Sequence, residues 1–385
     1  MLLDNRSWNF KGNIYKDIIP AIGGDLIVVD NQEFYLFDPS VAVVTENKEY
    51  DPPATVEEAM SFIPPYKEDW MGDVIERSIR TTVQLYRTSL GSEPKLLFKE
   101  LGQQGFWWTS SDLKKVYILT CWRDRRQSSQ YLLKLWFSNN RGELFTEVPL
   151  NLDGLGTLGE RQAYGVYFDY SGQYGYLEID DYILQTQDAG KNWSKIIIPR
   201  SEADKRSIRN GKVDTLAVGK SGDLYFSIYK NKTSYLYKIP FDNTLNNLTQ
   251  ETPMLVLENR RVFSMRQDLE GNGLYLFLQK LDNQNNMRME ASYMRGNSIA
   301  RTYDLGRFIN LKDFFIGPNG RVVVTFEYSD LEEYIHDVWA SDNYGEVWRK
   351  IDQDHEVISS YVDMKNNKYW QFRRFQELYL RKDIF

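Results

Sequence analysis

The sequence predicts an all-β protein that is built from repeated four-stranded units. Three observations predict it. Aromatic residues make up 15% of the 385 residues, with 26 Tyr, 20 Phe and 10 Trp, and such side chains are typical of half-buried strands. A turn motif of eight residues recurs along the chain. A series of short hairpin signals recurs as well, at steps of 47 to 50 residues, and such periods are typical of repeat architectures.

The turn motif occurs at residues 138–145, 186–193 and 341–348, which we call the box segments. Its pattern is Ser/Thr-x-Asp/Asn-x-Gly-x-x-aromatic. Side-chain oxygens of Asp, Asn, Ser or Thr accept hydrogen bonds from backbone N–H groups around a tight bend, and Gly supplies a positive φ. Because each segment lies between two strand-like runs, the pattern predicts a turn between adjacent strands. The residues that define it are Ser138, Asn140, Gly142, Phe145, Thr186, Asp188, Gly190, Trp193, Ser341, Asn343, Gly345 and Trp348.

The spacing of the box segments predicts further copies that lack the motif. The second segment follows the first by 48 residues, and the third follows the second by 155, about three times as far. Strand-like runs occupy the intervening and preceding positions, at residues 34–37, 83–87, 235–240 and 290–294. Together with the strands that precede the box segments, they predict seven corresponding strands.

The hairpin series marks the beginning of each unit. Small or polar pairs lie at residues 171–172, 221–222, 271–272, 319–320 and 366–367, between aromatic and β-branched runs, where such pairs signal hairpins. Each unit is then a hairpin, a strand that leads into the box position, and an outer strand. Four-stranded units of about 50 residues are typical of the blades of a β-propeller.

We therefore predict a single β-propeller domain over residues 1–385. Seven blades fit the spacing, and six or eight stay open because an irregular insertion around residues 50–80 interrupts it. The C-terminal strands need a partner, which predicts closure by the N- and C-terminal strands, with the matching N-terminal strands at residues 18–44. A capping box and flanking Pro pairs predict a short helix within residues 51–65. This segment is interpreted as an inter-blade loop, with a lid or partner-docking insertion as the alternative.

The box segments resemble the Asp box of sialidase-type and related β-propellers. The resemblance implies turns that mark the fold without conferring catalysis. Sialidases carry an early Arg-Ile-Pro motif, and the corresponding Ile18-Ile19-Pro20 has no Arg before the Pro. The sequence therefore favours a protein that is not an enzyme, with a glycan-binding or sialidase-like propeller as the alternative.

In overall build the chain resembles the immunity proteins that neutralise antibacterial lipase effectors of bacterial type VI secretion. The resemblance rests on Asp4-Asn5-Arg6, on the box segments and on the aromatic-rich strands between them. It implies a non-catalytic protein that blocks the active site of a toxic (phospho)lipase effector. The compartment is then the bacterial periplasm if a signal or lipoprotein segment has been removed, and otherwise the cytoplasm. An assembly scaffold is the remaining alternative.

Composition argues against several other classes of function. The net charge of −7 gives nucleic acid no general attraction to this chain. One Cys and two His exclude a structural zinc site and an intramolecular disulfide. We expect neither a metal nor a cofactor, although oxygen-liganded calcium stays open. Since no window approaches about 18 consecutive apolar residues, we expect no membrane span.

A protein partner is expected to meet aromatic side chains, because Trp and Tyr dominate the energetics of many interfaces. Candidates in exposed loops are Trp70, Trp107 and Trp108, with core packing as the alternative for each. Cys121 lies in an apolar run that predicts a buried strand, so we expect an inert core thiol there.

Overall fold

Every regular element in the described part of the chain is a β-strand. The computed structural model describes residues 8–13, 25–28, 33–44, 79–89, 95–102, 104–110, 114–123, 131–150, 163–169, 171–179, 182–197, 213–241, 252–281, 287–307, 310–330, 333–354, 357–363, 368–373 and 377–382. These residues contain 28 strands. The all-β prediction is confirmed. Within these ranges no helix has the length and apolar character needed to cross a membrane.

The strands pair into four-stranded units, numbered here along the chain, and β1 (Trp8–Asn13) belongs to the last of them. Unit 1 consists of β2 (Asp25–Val28), β3 (Glu33–Val44), β4 (Ile79–Ser89) and β5 (Lys95–Leu101). Unit 2 consists of β6 (Gln104–Thr109), β7 (Val116–Arg123), β8 (Tyr131–Ser138) and β9 (Thr146–Val148). Unit 3 consists of β10 (Ala163–Phe168), β11 (Gly175–Ile179), β12 (Tyr182–Thr186) and β13 (Ser194–Ile197).

The second half of the chain repeats this order. Unit 4 consists of β14 (Val213–Val218), β15 (Leu224–Lys230), β16 (Thr233–Ile239) and β17 (Leu255–Glu258). Unit 5 consists of β18 (Arg260–Gln267), β19 (Leu274–Leu281), β20 (Met287–Arg295) and β21 (Ser298–Arg307). Unit 6 consists of β22 (Asn310–Ile316), β23 (Val322–Asp330), β24 (Glu333–Ser341) and β25 (Arg349–Asp354). Unit 7 consists of β26 (Val357–Asp363), β27 (Lys368–Arg373), β28 (Glu377–Lys382) and β1.

Within each unit, neighbouring strands run antiparallel and follow one another along the chain, except that β1 returns to pair with β28. Units 4 and 5 form one eight-stranded sheet, because a single parallel bridge joins Thr233 to Arg260. This bridge makes the junction between units 4 and 5 different from the others in the described residues, where each unit is a separate four-stranded sheet.

The predicted order of elements within a unit is confirmed. The hairpin pairs lie between the first and second strands, as at Gly172 and Gly222, where φ is 67° and 81°. Residues 366–367 lie outside the described residues, and the strands that flank them pair as predicted. Each box segment follows a third strand and precedes a fourth, at β8–β9, β12–β13 and β24–β25.

One member of the predicted strand series is wrong. Residues 34–37 belong to β3, the second strand of unit 1, and pair directly with β4, which contains residues 83–87. The long connection between β3 and β4 separates these paired strands by about one repeat length. In the sequence they therefore have the spacing of corresponding strands in two successive units. The third strand of unit 7 is instead β28.

Two predictions about connections also need correction. The C-terminal strand β28 pairs with β1, which precedes the residues 18–44 nominated for this role; those residues contain β2 and β3 of unit 1. The insertion around residues 50–80 was interpreted as an inter-blade loop. Its residues 51–78 lie outside the described residues, but Val44 pairs with Ile79, so the insertion connects two strands of the same unit.

The hydrophobic core lies between the units. One buried cluster contains Tyr176 of unit 3 and Phe226 of unit 4, and another contains Phe277 of unit 5 and Phe314 of unit 6. Second strands are therefore buried on both faces, as in β19, where five successive residues are buried. Along the fourth strand β21, exposed residues alternate with half-buried or buried ones, so one face of this strand is covered. Cys121 is buried on β7, as expected.

Candidate functional site

The three box segments form the same hydrogen-bonded turn. In residues 186–193, the Thr186 hydroxyl donates to Asp188 Oδ1 at 2.8 Å and accepts the Gly190 N–H at 3.0 Å. Asp188 Oδ1 also accepts the Asn192 N–H at 2.9 Å. The other two segments repeat these three bonds with Ser and Asn in place of Thr and Asp. Side-chain oxygens thus satisfy backbone donors that the bend leaves without strand partners.

The tip of each box turn holds two successive residues with positive φ. Ala189 and Gly190 have φ values of 58° and 82°, and the same pairs occur at 141–142 and 344–345. The amide of the first residue donates to a carbonyl in the hairpin of its own unit. These bonds join Arg141 to Lys114 at 3.3 Å, Ala189 to Gln173 at 3.0 Å, and Tyr344 to Gly320 at 3.0 Å.

Each box turn packs against the preceding unit. Glu143 forms ion pairs with Arg87 and with Lys95 of unit 1, the latter at 2.7 Å. The Tyr117 hydroxyl of unit 2 donates to the Ala189 carbonyl of unit 3 at 2.9 Å. In unit 6, the Asn343 carbonyl accepts a bond of 2.9 Å from Arg301 of unit 5.

The terminal aromatic of each box segment contributes to the core. Phe145 lies 4.9 Å from Phe98 of unit 1, between ring centroids, and Trp348 lies 6.1 Å from Phe277 of unit 5. Trp193 packs edge-on to Phe168 of its own unit at 6.3 Å, and its Nε1–H donates to the Gly190 carbonyl. The box segments therefore connect successive units.

The junction between units 4 and 5 lacks such a turn. In unit 5, Met294 of the third strand lies opposite Leu274, the first residue of the second strand. Ser138, Thr186 and Ser341 occupy the corresponding position in units 2, 3 and 6. After Met294 the chain turns back at once, because Arg295 pairs with Ser298 and leaves a two-residue loop of Gly296 and Asn297. The sequence predicted a degenerate copy here, and the structure gives a shorter turn.

A cleft of about 240 Å³ lies at this junction, and we call it the junction cleft. Tyr225, Lys238 and Met254 line it from unit 4, and Asn272, Met294 and Asn297 line it from unit 5. The glycines at 271, 273 and 296 contribute only backbone to its walls. The cleft therefore combines two methionines with amide, phenol and ammonium groups.

Polar contacts hold the walls of the junction cleft. Lys238 Nζ lies 2.7 Å from Asp223 Oδ2. Burial alone would lower the pKa of Lys238, but the hydrogen bond and charge of Asp223 raise it above its ordinary value, so the ammonium persists at neutral pH. Buried Gln267 accepts the Lys220 N–H at 2.6 Å and donates to the Tyr225 hydroxyl at 3.4 Å.

Tyr225 presents a neutral phenol to the junction cleft. Burial raises the pKa of Tyr225 above its ordinary value, and this effect outweighs the opposing attraction of Lys238. The phenol cannot serve as a ready nucleophile at neutral pH, because the phenolate would be strongly disfavoured. The cleft is thus suited to hydrogen bonding and packing.

The predicted tryptophan candidates lie elsewhere. Trp107 and Trp108 lie on β6 and are half-buried, in place of the exposed loop that the sequence suggested. Trp108 packs 5.3 Å from Phe168 and 6.0 Å from Tyr117, between units 2 and 3. Trp107 packs against the cluster that contains Leu85 and Ile118. Trp70 lies outside the described residues.

One Tyr–Glu pair bears on the sialidase-like alternative. The Tyr167 hydroxyl of β10 donates to Glu178 Oε2 of β11 at 3.2 Å. Burial, followed by the charge of Glu178, raises the pKa of Tyr167 far above its ordinary value. The pair as it stands joins two strands and does not supply an activated nucleophile. In the described residues no group of three His, Cys, Asp or Glu side chains is arranged to hold a metal ion.

No protein-family model matches the chain, and no curated protein matches it. Solved structures do match. A structure of YCF48 bound to a D1 peptide is 13% identical, with 99% of this chain and 96% of that chain covered and a TM-score of 0.49. A polysaccharide lyase of the ulvan lyase type is 10% identical, with coverages of 97% and 94% and a TM-score of 0.45. The tricorn protease is 8% identical, with coverages of 90% and 36% and a TM-score of 0.49.

YCF48 and the polysaccharide lyase are β-propeller-like proteins. Since all three TM-scores lie below 0.5 and all identities below 15%, the description of the fold rests on the strand pairings given above.

Sequence reasoning did not find the junction cleft. Its residues come from two units and share no motif. The sequence signal that could have indicated the cleft is the missing box motif after Met294. The chain returns to a strand at Ser298, after a loop of two residues, whereas a box segment needs several more. The hairpin at 271–272 was predicted, but not that it would border a cleft.

Proposed function

We propose that this chain is a seven-bladed, closed β-propeller that binds a protein partner and catalyses no reaction. Closure is supported by contacts between first strands: those of units 2 to 7 touch in succession, and β26 of unit 7 touches β2 of unit 1. The pairing of β1 with β28 gives the last unit its fourth strand. A closed ring leaves few exposed sheet edges, which favours a soluble and rigid platform for binding.

The observation that carries the binding role is the junction cleft. Box turns fill the junctions between units 1 and 2, 2 and 3, and 5 and 6, whereas the junction between units 4 and 5 has a short turn and an open cleft. The side chains whose pKa values depart furthest from the ordinary value include Tyr167 and Tyr275. Burial raises both pKa values, and both side chains hold strands or units together. This favours recognition over catalysis.

The partner in this proposal is a toxic (phospho)lipase effector of type VI secretion, and the chain is its immunity protein. The support is the resemblance carried by Asp4-Asn5-Arg6 and the box segments, together with the net charge of −7, which would attract a basic toxin. Blocking a catalytic entrance would bury on the order of 1,600 Å² in total. The periplasm is the proposed compartment if an export signal has been removed, and the cytoplasm otherwise.

The test is affinity purification of the tagged full chain from its native cells, followed by a phospholipid-hydrolysis assay of the eluted partner. We expect a lipase that is inactive in the complex and active after separation, and inhibited again by one equivalent of purified chain. Heat-denatured chain is the control. A bound lipase with full activity, or no bound protein at all, would overturn the proposal. Turnover of a fluorogenic sialoside that is lost in Tyr167→Phe would favour the sialidase-like alternative.

A further inference from the structure

We propose that the junction cleft is the docking site for a loop of the protein partner, and that this loop presents a backbone N–H group, a carboxylate and one large apolar side chain. This inference rests on the proposed binding function and names the part of the surface that performs it. It follows from a backbone acceptor, from the size and lining of the cleft, and from the exposed ammonium group of Lys220 at its rim.

The backbone acceptor is the carbonyl of Asn272. In each described hairpin between a first and a second strand, the carbonyl of interest belongs to the residue just before the one that closes the hairpin. In units 2, 3 and 6 this carbonyl belongs to Lys114, Gln173 and Gly320 and accepts an N–H from the box turn. In unit 4 it belongs to Gly222 and accepts the Tyr176 hydroxyl at 2.5 Å.

Asn272 occupies the same position in unit 5, since Gly273 closes that hairpin with Asp268 at 3.0 Å. No described residue donates to the Asn272 carbonyl, whereas its own N–H is bound to Asp268 Oδ1 at 2.8 Å. A carbonyl at the wall of a cleft gains from a donor that an incoming loop supplies. The bond would repeat, between molecules, the one that box turns make within the chain.

The size of the junction cleft favours a protein side chain over a free small molecule. Its volume of about 240 Å³ lies below the range of roughly 300–1,000 Å³ that is typical of small-molecule sites. Met254 and Met294 provide an apolar wall, and methionine adapts to side chains of different shape. One aromatic or long aliphatic side chain therefore fits, in the manner of the box aromatics at the other junctions.

An exposed ammonium group favours a carboxylate on the incoming loop. Lys220 is exposed beside Gly271 and forms no ion pair with a described residue. The nearby carboxylates are engaged: Asp223 with Lys238, and buried Asp268 with the Tyr293 hydroxyl. Glu270 bonds to unit 6, where its Oε1 accepts the Asn319 N–H at 2.9 Å. Asp268 and Glu270 keep their negative charges, because their partners are neutral donors. What the rim offers an incoming carboxylate is the Lys220 ammonium group.

The experiment selects disulfide-closed peptides from a displayed random library against the full chain. Binding of the selected peptides is then measured by fluorescence anisotropy and by methyl shifts of 13C-labelled methionines. We expect peptides that carry an acidic residue and an aromatic or large aliphatic residue, and that shift the Met254 and Met294 signals. Lys220→Glu, which replaces the ammonium group by a carboxylate, and Asn297→Trp, which fills the cleft, should each weaken binding at least tenfold.

The matched control is Lys232→Glu. Lys232 is exposed in the turn between β15 and β16, at the opposite end of unit 4, and the substitution changes the net charge by the same amount. It should leave the affinity within twofold. Equal thermal unfolding of all three variants would exclude misfolding as the cause.

The inference about the cleft and the proposed function fail differently. Peptides that bind equally to Asn297→Trp, that leave the two methionine signals unchanged, or that are not recovered at all would overturn the docking site. A native partner that binds and is inhibited by Asn297→Trp as well as by the unaltered chain would also overturn it, while the proposed function would stand.

Discussion

At the scale of single residues, side-chain oxygens replace backbone partners wherever the chain bends sharply. The oxygens of Asn140, Asp188 and Asn343 each accept the N–H four residues later, at 2.9–3.0 Å. Asp and Asn can therefore both form this bond, because it needs a planar oxygen acceptor and not a charge. This explains why the motif tolerates Asn in two of its three copies.

Buried carboxylates differ in the sign of their effect on stability. Burial alone would raise the pKa of Glu290, but hydrogen bonds and charge from Arg260 and Lys280 lower it below its ordinary value. Burial raises the pKa of Asp337 above its ordinary value in spite of the hydrogen bond to Lys350. A lowered pKa adds stability that is present above the unfolded pKa and is lost as the pH falls through the folded pKa. A raised pKa adds stability that is present below the unfolded pKa and is lost as the pH rises through the folded pKa.

These two carboxylates give a paired prediction for urea unfolding at pH values from about 3 to 7. Glu290→Gln should lower the free energy of unfolding by about 2 kcal/mol at neutral pH, since it weakens two charge-assisted bonds, and the loss should shrink as the pH falls. Asp337→Asn is the opposite case: its stability relative to the unaltered chain should increase as the pH rises. Parallel pH profiles for the two variants would contradict the assignment.

At the scale of elements, each unit is completed by its neighbour. The second strands carry tyrosines whose rings are buried and whose hydroxyls reach the next unit, as Tyr176 reaches Gly222 and Tyr275 reaches Gly320. Burial raises the pKa of both phenols, so both remain donors at neutral pH. A four-stranded unit alone would expose both faces of its second strand, which is why the units require one another.

This predicts different costs for two equivalent substitutions. Tyr176→Phe leaves the Gly222 carbonyl without its donor in a buried position, which should cost about 1–2 kcal/mol of unfolding free energy. Tyr225→Phe is the control, because the Tyr225 hydroxyl lines the junction cleft and meets Gln267 over a longer 3.4 Å. Its cost should be at most about half as large. Chemical denaturation of both variants measures the difference, and a larger loss in Tyr225→Phe would contradict this account of the junctions.

At the scale of the whole molecule, the first and last described strands pair in unit 7. β1 contributes the fourth strand beside β28, through five paired positions. Deleting residues 1–13 should therefore expose the edge of β28 and lower the free energy of unfolding by roughly 1–5 kcal/mol, at about 0.2–1 kcal/mol per cross-strand pair. Differential scanning calorimetry would measure the loss, and sedimentation would detect association through the free edge. An unchanged unfolding temperature would show that β1 contributes nothing to the fold.

The candidate site was predictable only in part. The alternation of aromatic and β-branched residues and the Gly-containing pairs specify hairpins locally, so the order of strands within a unit could be predicted. The box segments were predictable as turns for the same reason. The junction cleft was not predictable, because it depends on the gap that the short Gly296–Asn297 loop leaves between units 5 and 4. Packing between the units fixes the width of that gap.

What the sequence determined by itself was local: strands, their hairpins, and the turns whose side chains satisfy their own backbone. What the tertiary structure alone decided was long-range. It assigned β1 and not residues 18–44 to β28, placed residues 34–37 and 83–87 in one unit, and left the Asn272 carbonyl without a described donor. Hydrogen bonds within a turn depend on residues a few positions apart, whereas strand partners and clefts depend on side chains that meet only after the units pack.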